Sequence, residues 1–148
     1  MASDELDKVE LPALEQLQSL GWSYVEGAKL SPDESDERSS LKDVVLEKRL
    51  TTSLKRINPW INDENLRKVI RELTKTLYPN LVEANQAIWT QINQCISVMQ
   101  DLGKGNKGQT VHIIDFENPE NNEFLCTNQF KVSGVNQNII PDILCFVN

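Results

Sequence analysis

Leu11, Leu14, Leu17 and Leu20 recur every third residue, and on a helix of 3.6 residues per turn they spread over one broad side. Pro12 suits a first helical turn and Gly21 the position just past a helix end, so the spacing predicts a first helix over residues 10–20. Trp22-Ser-Tyr-Val25 then alternates, as a short strand or an extended lead-out does. Residues 31–40, Ser-Pro-Asp-Glu-Ser-Asp-Glu-Arg-Ser-Ser, are polar throughout and read as a mobile loop. A second helix is expected from Leu41 to Ile57, with Val45, Leu46, Leu50, Leu54 and Ile57 on one side and Asn58-Pro59 ending it. Asn62 or Asp63 can cap a third, whose stripe is Leu66, Val69, Ile70, Leu73 and Leu77, stopped by Tyr78-Pro79. Asn80 can cap a fourth, with Leu81, Ala84, Ile88 and Ile92 inward.

The period then changes. Ile96 and Val98 alternate with Ser97, and Gly103 to Gly108 reads as a hairpin-type turn. Thr110–Phe116 follows as a strand, Glu117–Asn122 as a loop and Glu123–Val132 as another strand, with a last strand beginning near Ile139. A helical part, residues 10–94, thus precedes a strand-rich part, residues 95–148. Helices followed by a meander of strands imply an α+β fold, helices packed on a mostly antiparallel or mixed sheet.

Length and charge narrow the picture. At 148 residues the chain is one domain by size, and no apolar run approaches the roughly 20 residues that span a bilayer. The acidic start, Met-Ala-Ser-Asp-Glu-Leu-Asp, is the opposite of a signal peptide, so a cytoplasmic protein without a membrane role is expected. The net charge of −7 lies wholly in residues 1–48, where twelve acids face five bases, and argues against a stand-alone electrostatic DNA binder. Beyond it, Arg49, Lys55, Arg56, Arg67, Lys68, Arg71 and Lys75 meet three acids before residue 76. They could form a basic face for a phosphate backbone; the plainer reading is a solvated helical surface.

Candidate chemistry is sparse. Cys95, Cys126 and Cys145 are widely spaced, with no C-x-x-C pair, and read as small buried hydrophobes in a reducing compartment. His112 stands alone mid-strand, where a hydrogen-bonded sheet histidine is expected rather than a ligand. Asp115 opens an Asn-rich loop and suits an Asx-type turn, in which its carboxylate accepts from backbone two residues on. Asn128 and Gln129 could satisfy backbone or touch nucleic acid, the former being the plainer role. Asp142 is different. Every other residue from Ile139 to Val147 is apolar, so the run reads as a buried strand, and a carboxylate there needs a partner, a hydrogen bond or a cation.

Read in order, Glu10-Leu-Pro-Ala-Leu-Glu-Gln-Leu-Gln-Ser-Leu-Gly-Trp22, Asp43-Val-Val-Leu-Glu47, Leu54-Lys-Arg-Ile-Asn-Pro59 and Leu81-Val-Glu-Ala-Asn85 form an ordered set. It continues with Ile114-Asp-Phe-Glu-Asn-Pro-Glu-Asn-Asn-Glu-Phe124, Asn128-Gln-Phe130 and Pro141-Asp-Ile-Leu-Cys-Phe-Val-Asn148. The set resembles the amino-terminal part of the restriction (motor and nuclease) subunit of type I restriction–modification enzymes, across almost the whole chain.

The resemblance implies a restriction-endonuclease-like, PD-(D/E)xK fold that cuts double-stranded DNA with a divalent metal, Mg²⁺ being expected. Asp142 matches the first acid of the motif and hence a catalytic metal ligand, and Glu10 matches a family acid that approaches the site. Glu10 could equally be an acid favourably placed near a helix amino terminus. Carboxylates suit Mg²⁺ because it takes oxygen ligands and keeps several waters. Arg49, Lys55 and Arg56 are the candidate nucleic-acid contacts. Modification and specificity subunits are the implied partners, and ATP would act only through motor domains, since the chain has no G-x-x-x-x-G-K-[ST].

The chain departs from the motif in two places. Ile143 to Asn148 contain no Glu and no Lys, and Ile139-Ile140 stand where the family often carries basic residues. Residues 1–148 are therefore expected to be a carboxy-terminally truncated nuclease domain, inactive alone, with the Asp142 strand at an open edge or covered by another copy. The alternative is a non-catalytic DNA-binding or assembly module on a nuclease-like scaffold.

Overall fold

Four α-helices, α1 (Leu11–Ser19), α2 (Glu47–Ile57), α3 (Asp63–Leu73) and α4 (Leu81–Gln94), and seven strands make up the described part of the chain. The strands are β1 (Ser23–Tyr24), β2 (Ile96–Asp101), β3 (Asn106–Val111), β4 (Phe124–Asn128), β5 (Val132–Ser133), β6 (Asn138–Ile139) and β7 (Ile143–Val147). The computed structural model describes residues 6–75 and 77–148. Met1–Glu5, at the acidic start, and Thr76, in the stretch expected to close the third helix, lie outside the described residues. Among the described residues no helix is long and apolar enough to cross a membrane.

The class is α+β as expected, but the strands do not form one meander. β1, β4 and β7 make a mixed sheet in that order, with β1 parallel and β7 antiparallel to β4. β2 with β3 and β5 with β6 form separate antiparallel pairs. The chain divides into two units, one of residues 1–46 and 123–147, the other of residues 47–122 with Asn148.

The first unit is built around β4. Leu125, Cys126, Thr127 and Asn128 are all buried, as befits a strand paired on both sides. Its core joins Leu30, Leu46, Leu125 and Phe130, with Val25, Val132, Leu144 and Phe146 packed against them. Phe130 and Phe146 meet edge to face at 5.4 Å, as do Trp22 and Phe124 at 5.2 Å. α1 packs on β1 and β4 and stops where Gly21 takes φ +96, a conformation that side chains resist.

Residues 31–40, expected as a mobile loop, carry an anchor. Arg38 is 4% exposed and donates to the carbonyls of Leu30 (2.9 Å), Lys131 (2.8 Å) and Asp43 (3.3 Å), while its guanidinium lies 4.0 Å from the Phe130 ring centre. The next stretch corrects a boundary, because helix α2 begins at Glu47 and not Leu41. Asp43 accepts from the backbone N–H groups of Ser39 and Ser40 and from the Ser39 hydroxyl, and that local turn competes with helix. Those bonds hold its carboxyl below the usual range, the Ser39 hydroxyl contributing most.

The second unit packs α2 with α3, and α3 against β2. Asn62 and Asn80 cap α3 and α4 as their positions imply, accepting from the N–H groups of Asn65 (2.8 Å) and Glu83 (2.9 Å). Leu54, Val69 and Val111 are fully buried. Asn58, also fully buried, bonds back to Leu54 and twice to the His112 backbone, fixing the chain beyond β3. Leu77 lies beyond α3 and is exposed, and α4 buries none of its residues: Leu81 is exposed, while Ala84, Ile88 and Ile92 are half-buried. β3 starts at Asn106, so Gly108, expected in the turn, pairs with Met99 within the hairpin.

Candidate active site

α1 is preceded by a single π-helical turn, Leu6–Glu10, which delivers Glu10 to the interior at 6% exposure. Its carboxylate makes no capping bond to α1. It accepts instead from the side-chain amide of Gln129, at 3.1 Å through Oε1 and 3.2 Å through Oε2. A helix-terminus role alone therefore does not describe Glu10.

Gln129 stands where β4 ends. Its φ is +52, the left-handed region that residues other than glycine seldom adopt, and this turn breaks the long strand expected over Glu123–Val132. The turn aims its amide at Glu10, while its backbone N–H donates to the Asp142 carbonyl at 3.2 Å. That bond adds one rung to the β4–β7 ladder beyond the Asn128–Ile143 pair. Gln129 thus bonds the Glu10 carboxylate with its side chain and the Asp142 backbone carbonyl with its N–H.

Two neighbours fix the turn. The Tyr24 hydroxyl donates to Asn128 Oδ1 at 2.8 Å, and burial, together with the charges of Glu26 and Glu10, pushes the phenol up. Gly27 lies against the other side: a Cβ there would fall 2.2 Å from the Asn128 carbonyl oxygen and 2.8 Å from the Gln129 carbonyl carbon.

Asp142 corrects the expectation of a buried acid. Its side chain is exposed, on a bend between β6 and β7, and makes no hydrogen bond or ion pair among the described residues. The preceding Pro141 cannot donate to a ladder, so the apolar run breaks there instead of passing through the core. Ile139 and Ile140 are likewise half exposed, and Cys145 is exposed, unlike the buried Cys126. β7 pairs with β4 alone among the described strands, the open edge expected of it.

The basic candidates occupy the other unit. Lys55 pairs with Asp63 at 3.0 Å and holds that carboxyl below its usual range. Arg56 donates to the Asn121 carbonyl at 2.6 Å and to Ser53 Oγ at 3.0 Å, and Arg49 is half-buried. Lys68 pairs with Glu64, so part of this charge is balanced within its own helix. Asp115 forms the expected Asx turn, accepting from the N–H groups of Glu117 and Asn118 and from the Asn121 amide. His112 lies just past β3, with Nδ1 3.4 Å from Cys95 Sγ, a pairing that 17 residues of separation concealed. Among the described residues, no three His, Cys, Asp or Glu side chains gather as a metal cluster.

Residues 3–148 match the family model described as type I restriction enzyme R protein N terminus. The chain belongs to that family. The type I restriction enzyme MjaIXP endonuclease subunit of Methanocaldococcus jannaschii is 34% identical over 143 residues, 95% of this chain and 14% of its own length. The HindI endonuclease subunit of Haemophilus influenzae is 32% identical over 142 residues, again 95% of this chain and 14% of its own. A second M. jannaschii subunit, MjaVIIIP, is 33% identical over 90% of the chain. The chain therefore spans about one-seventh of the length of the first two relatives. No solved structure matches it.

Proposed function

We propose that this family member is part of the DNA-cleaving domain of a type I restriction enzyme R subunit, with a PD-(D/E)xK nuclease fold. The observation that carries the reading is the meeting of Glu10 and the Asp142 segment on one residue, Gln129, although they lie at opposite ends of the sequence. The Asp142 side chain, exposed and without a partner among the described residues, is free to serve as a metal ligand. Glu10 brings a second carboxylate whose partner among the described residues is a neutral amide. Such an oxygen donor set fits Mg²⁺, which accepts one or two carboxylates and keeps water in its remaining positions. The metal would lower the pKa of a bound water and offset charge growing on the attacked phosphate.

Within this reading Asp142 holds the cation and Glu10 supports it. Arg49, Lys55 and Arg56 are proposed to contact phosphates, Lys55 giving up Asp63, a surface pair that contributes little. ATP-driven translocation is proposed for motor domains outside this sequence, and separate modification and specificity subunits are the proposed partners. No Glu or Lys follows Asp142 within this sequence, so the 148-residue chain is proposed not to cut DNA unaided.

The test uses the R subunit carrying this region, assembled with its modification and specificity subunits, ATP and Mg²⁺. Asp142→Asn should abolish cleavage of unmodified plasmid, with ATP hydrolysis as the control for assembly. Cleavage at the wild-type rate would remove the nuclease reading and leave a non-catalytic module. Robust Mg²⁺-dependent nicking by the 148-residue chain alone would contradict its proposed dependence on residues outside this sequence.

A further inference from the structure

We propose that Gln129 is the positioning residue of this site: it presents the Glu10 carboxylate on a neutral amide and ties the Asp142 segment to the same turn. The inference rests on the nuclease reading above and gives it a residue whose side chain is neither acidic nor basic.

Four observations support the assignment. The Gln129 amide nitrogen reaches both Glu10 oxygens, at 3.1 and 3.2 Å, across 119 residues of sequence. Its backbone N–H holds the Asp142 carbonyl at 3.2 Å, so one residue fixes both partners. The backbone is left-handed at φ +52, a conformation that side-chain-bearing residues resist and that persists only where surroundings enforce it. Those surroundings are present: Tyr24 holds Asn128, and Gly27 leaves no room for the Asn128–Gln129 backbone to relax toward it.

The choice of an amide has a chemical consequence. Glu10 is 6% exposed, and a buried carboxylate is commonly stabilised by Arg or Lys. A cationic partner would satisfy Glu10 and cancel its charge, whereas an amide satisfies the oxygens and leaves the charge intact. The Glu10 carboxylate, held by an amide, is then available to favour a divalent cation recruited at Asp142. Gln129 itself need not touch metal or DNA.

The proposal separates charge from structure, and so does its test. In the metal-free 148-residue chain, Glu10→Gln should shift the Gln129 side-chain amide resonances in a ¹⁵N–¹H spectrum, and the Gln129 backbone N–H should exchange slowly with solvent. In the assembled R subunit, Gln129→Lys should raise the Mg²⁺ concentration for half-maximal cleavage about tenfold, the scale of one opposite charge placed beside a ligand. Gln129→Met, similar in shape but unable to donate, should slow cleavage without that change in Mg²⁺ dependence. Thermal unfolding of each variant checks that it folds.

Unmoved Gln129 amide resonances in Glu10→Gln would overturn the coupling. So would a Gln129→Lys enzyme with wild-type Mg²⁺ dependence beside an inactive Asp142→Asn enzyme, while the nuclease reading stood. An active Asp142→Asn enzyme would overturn that reading, and this proposal with it.

Discussion

Gly27→Ala tests the support under the candidate site with one methyl group. The φ of Gly27 lies outside the left-handed region, so space alone excludes a side chain. Its Cβ would fall 2.2 Å from the Asn128 carbonyl oxygen, 2.8 Å from the Gln129 carbonyl carbon and 2.9 Å from the Gln129 oxygen. A comfortable carbon–oxygen contact is about 3.3 Å, so the backbones must separate by about 1 Å. Neither group is the free end of a flexible side chain. Asn128 is locked by its rung to Ile143 and by the Tyr24 hydroxyl, and Gln129 by Asp142 and Glu10. Overpacking costs about 1–3 kcal/mol where surroundings yield, and here the upper end applies. At about 2–4 °C per kcal/mol for a chain of this size, Tm should fall by about 6–12 °C. Differential scanning calorimetry with an amide spectrum measures both effects. A Tm within 1 °C of wild type (roughly 0.3 kcal/mol), with Asn128 and Gln129 resonances unmoved, would refute the argument.

Two further residues probe stability. Arg38→Met keeps the stem over Phe130 but orphans buried carbonyls, and at about 1–3 kcal/mol for each buried acceptor it should cost about 3 kcal/mol in urea unfolding. Arg38→Lys should recover little of that loss, since an ammonium cannot reproduce the planar fork; full recovery would contradict the geometry. Asp115 is held below the ordinary carboxyl range by the Asn121 amide first and then by the Asn118 N–H. Its contribution is therefore complete above the unfolded value of about 3.9 and is lost as pH falls through the lower folded value. Asp115→Asn should flatten the acid limb of the urea midpoint between about pH 4 and 2, and an unchanged slope would refute this.

Local chemistry was readable from the residues, and distant chemistry was not. Asn62 and Asn80 announced their helices because a cap needs an N–H only three residues away. Asp115 was legible for the same reason. The apolar stripe runs back through Val45 and Leu46 and so implies a longer α2, while Asp43 commits the chain to a turn before it. The 31–40 segment looked featureless because the carbonyl that Arg38 reaches at Lys131 lies 93 residues on. At the site, both acids stand out in the sequence, but the apolar composition around Asp142 implies a core position that the exposed bend does not give it. The residue joining them, Gln129, suggests by sequence only a backbone-satisfying or nucleic-acid-touching amide. No spacing rule links positions 10 and 129; a left-handed turn after β4 does, and its sequence carries no glycine to announce it.

The parallel pairing of Ser23 and Tyr24 with Leu125 and Cys126 has a consequence for how the chain reaches this structure. The unit holding Glu10 and Asp142 is discontinuous, leaving at residue 46 and resuming at residue 123. A chain made from its amino terminus presents β1 long before β4 exists to receive it. The intervening residues 47–122 form their own unit and can acquire structure while the first segment waits, shortening the loop that must finally be closed. Glu10, Gln129 and Asp142 can therefore meet only after residues 47–122 have been made, and the order of synthesis keeps the two acid-bearing segments apart while that unit can form.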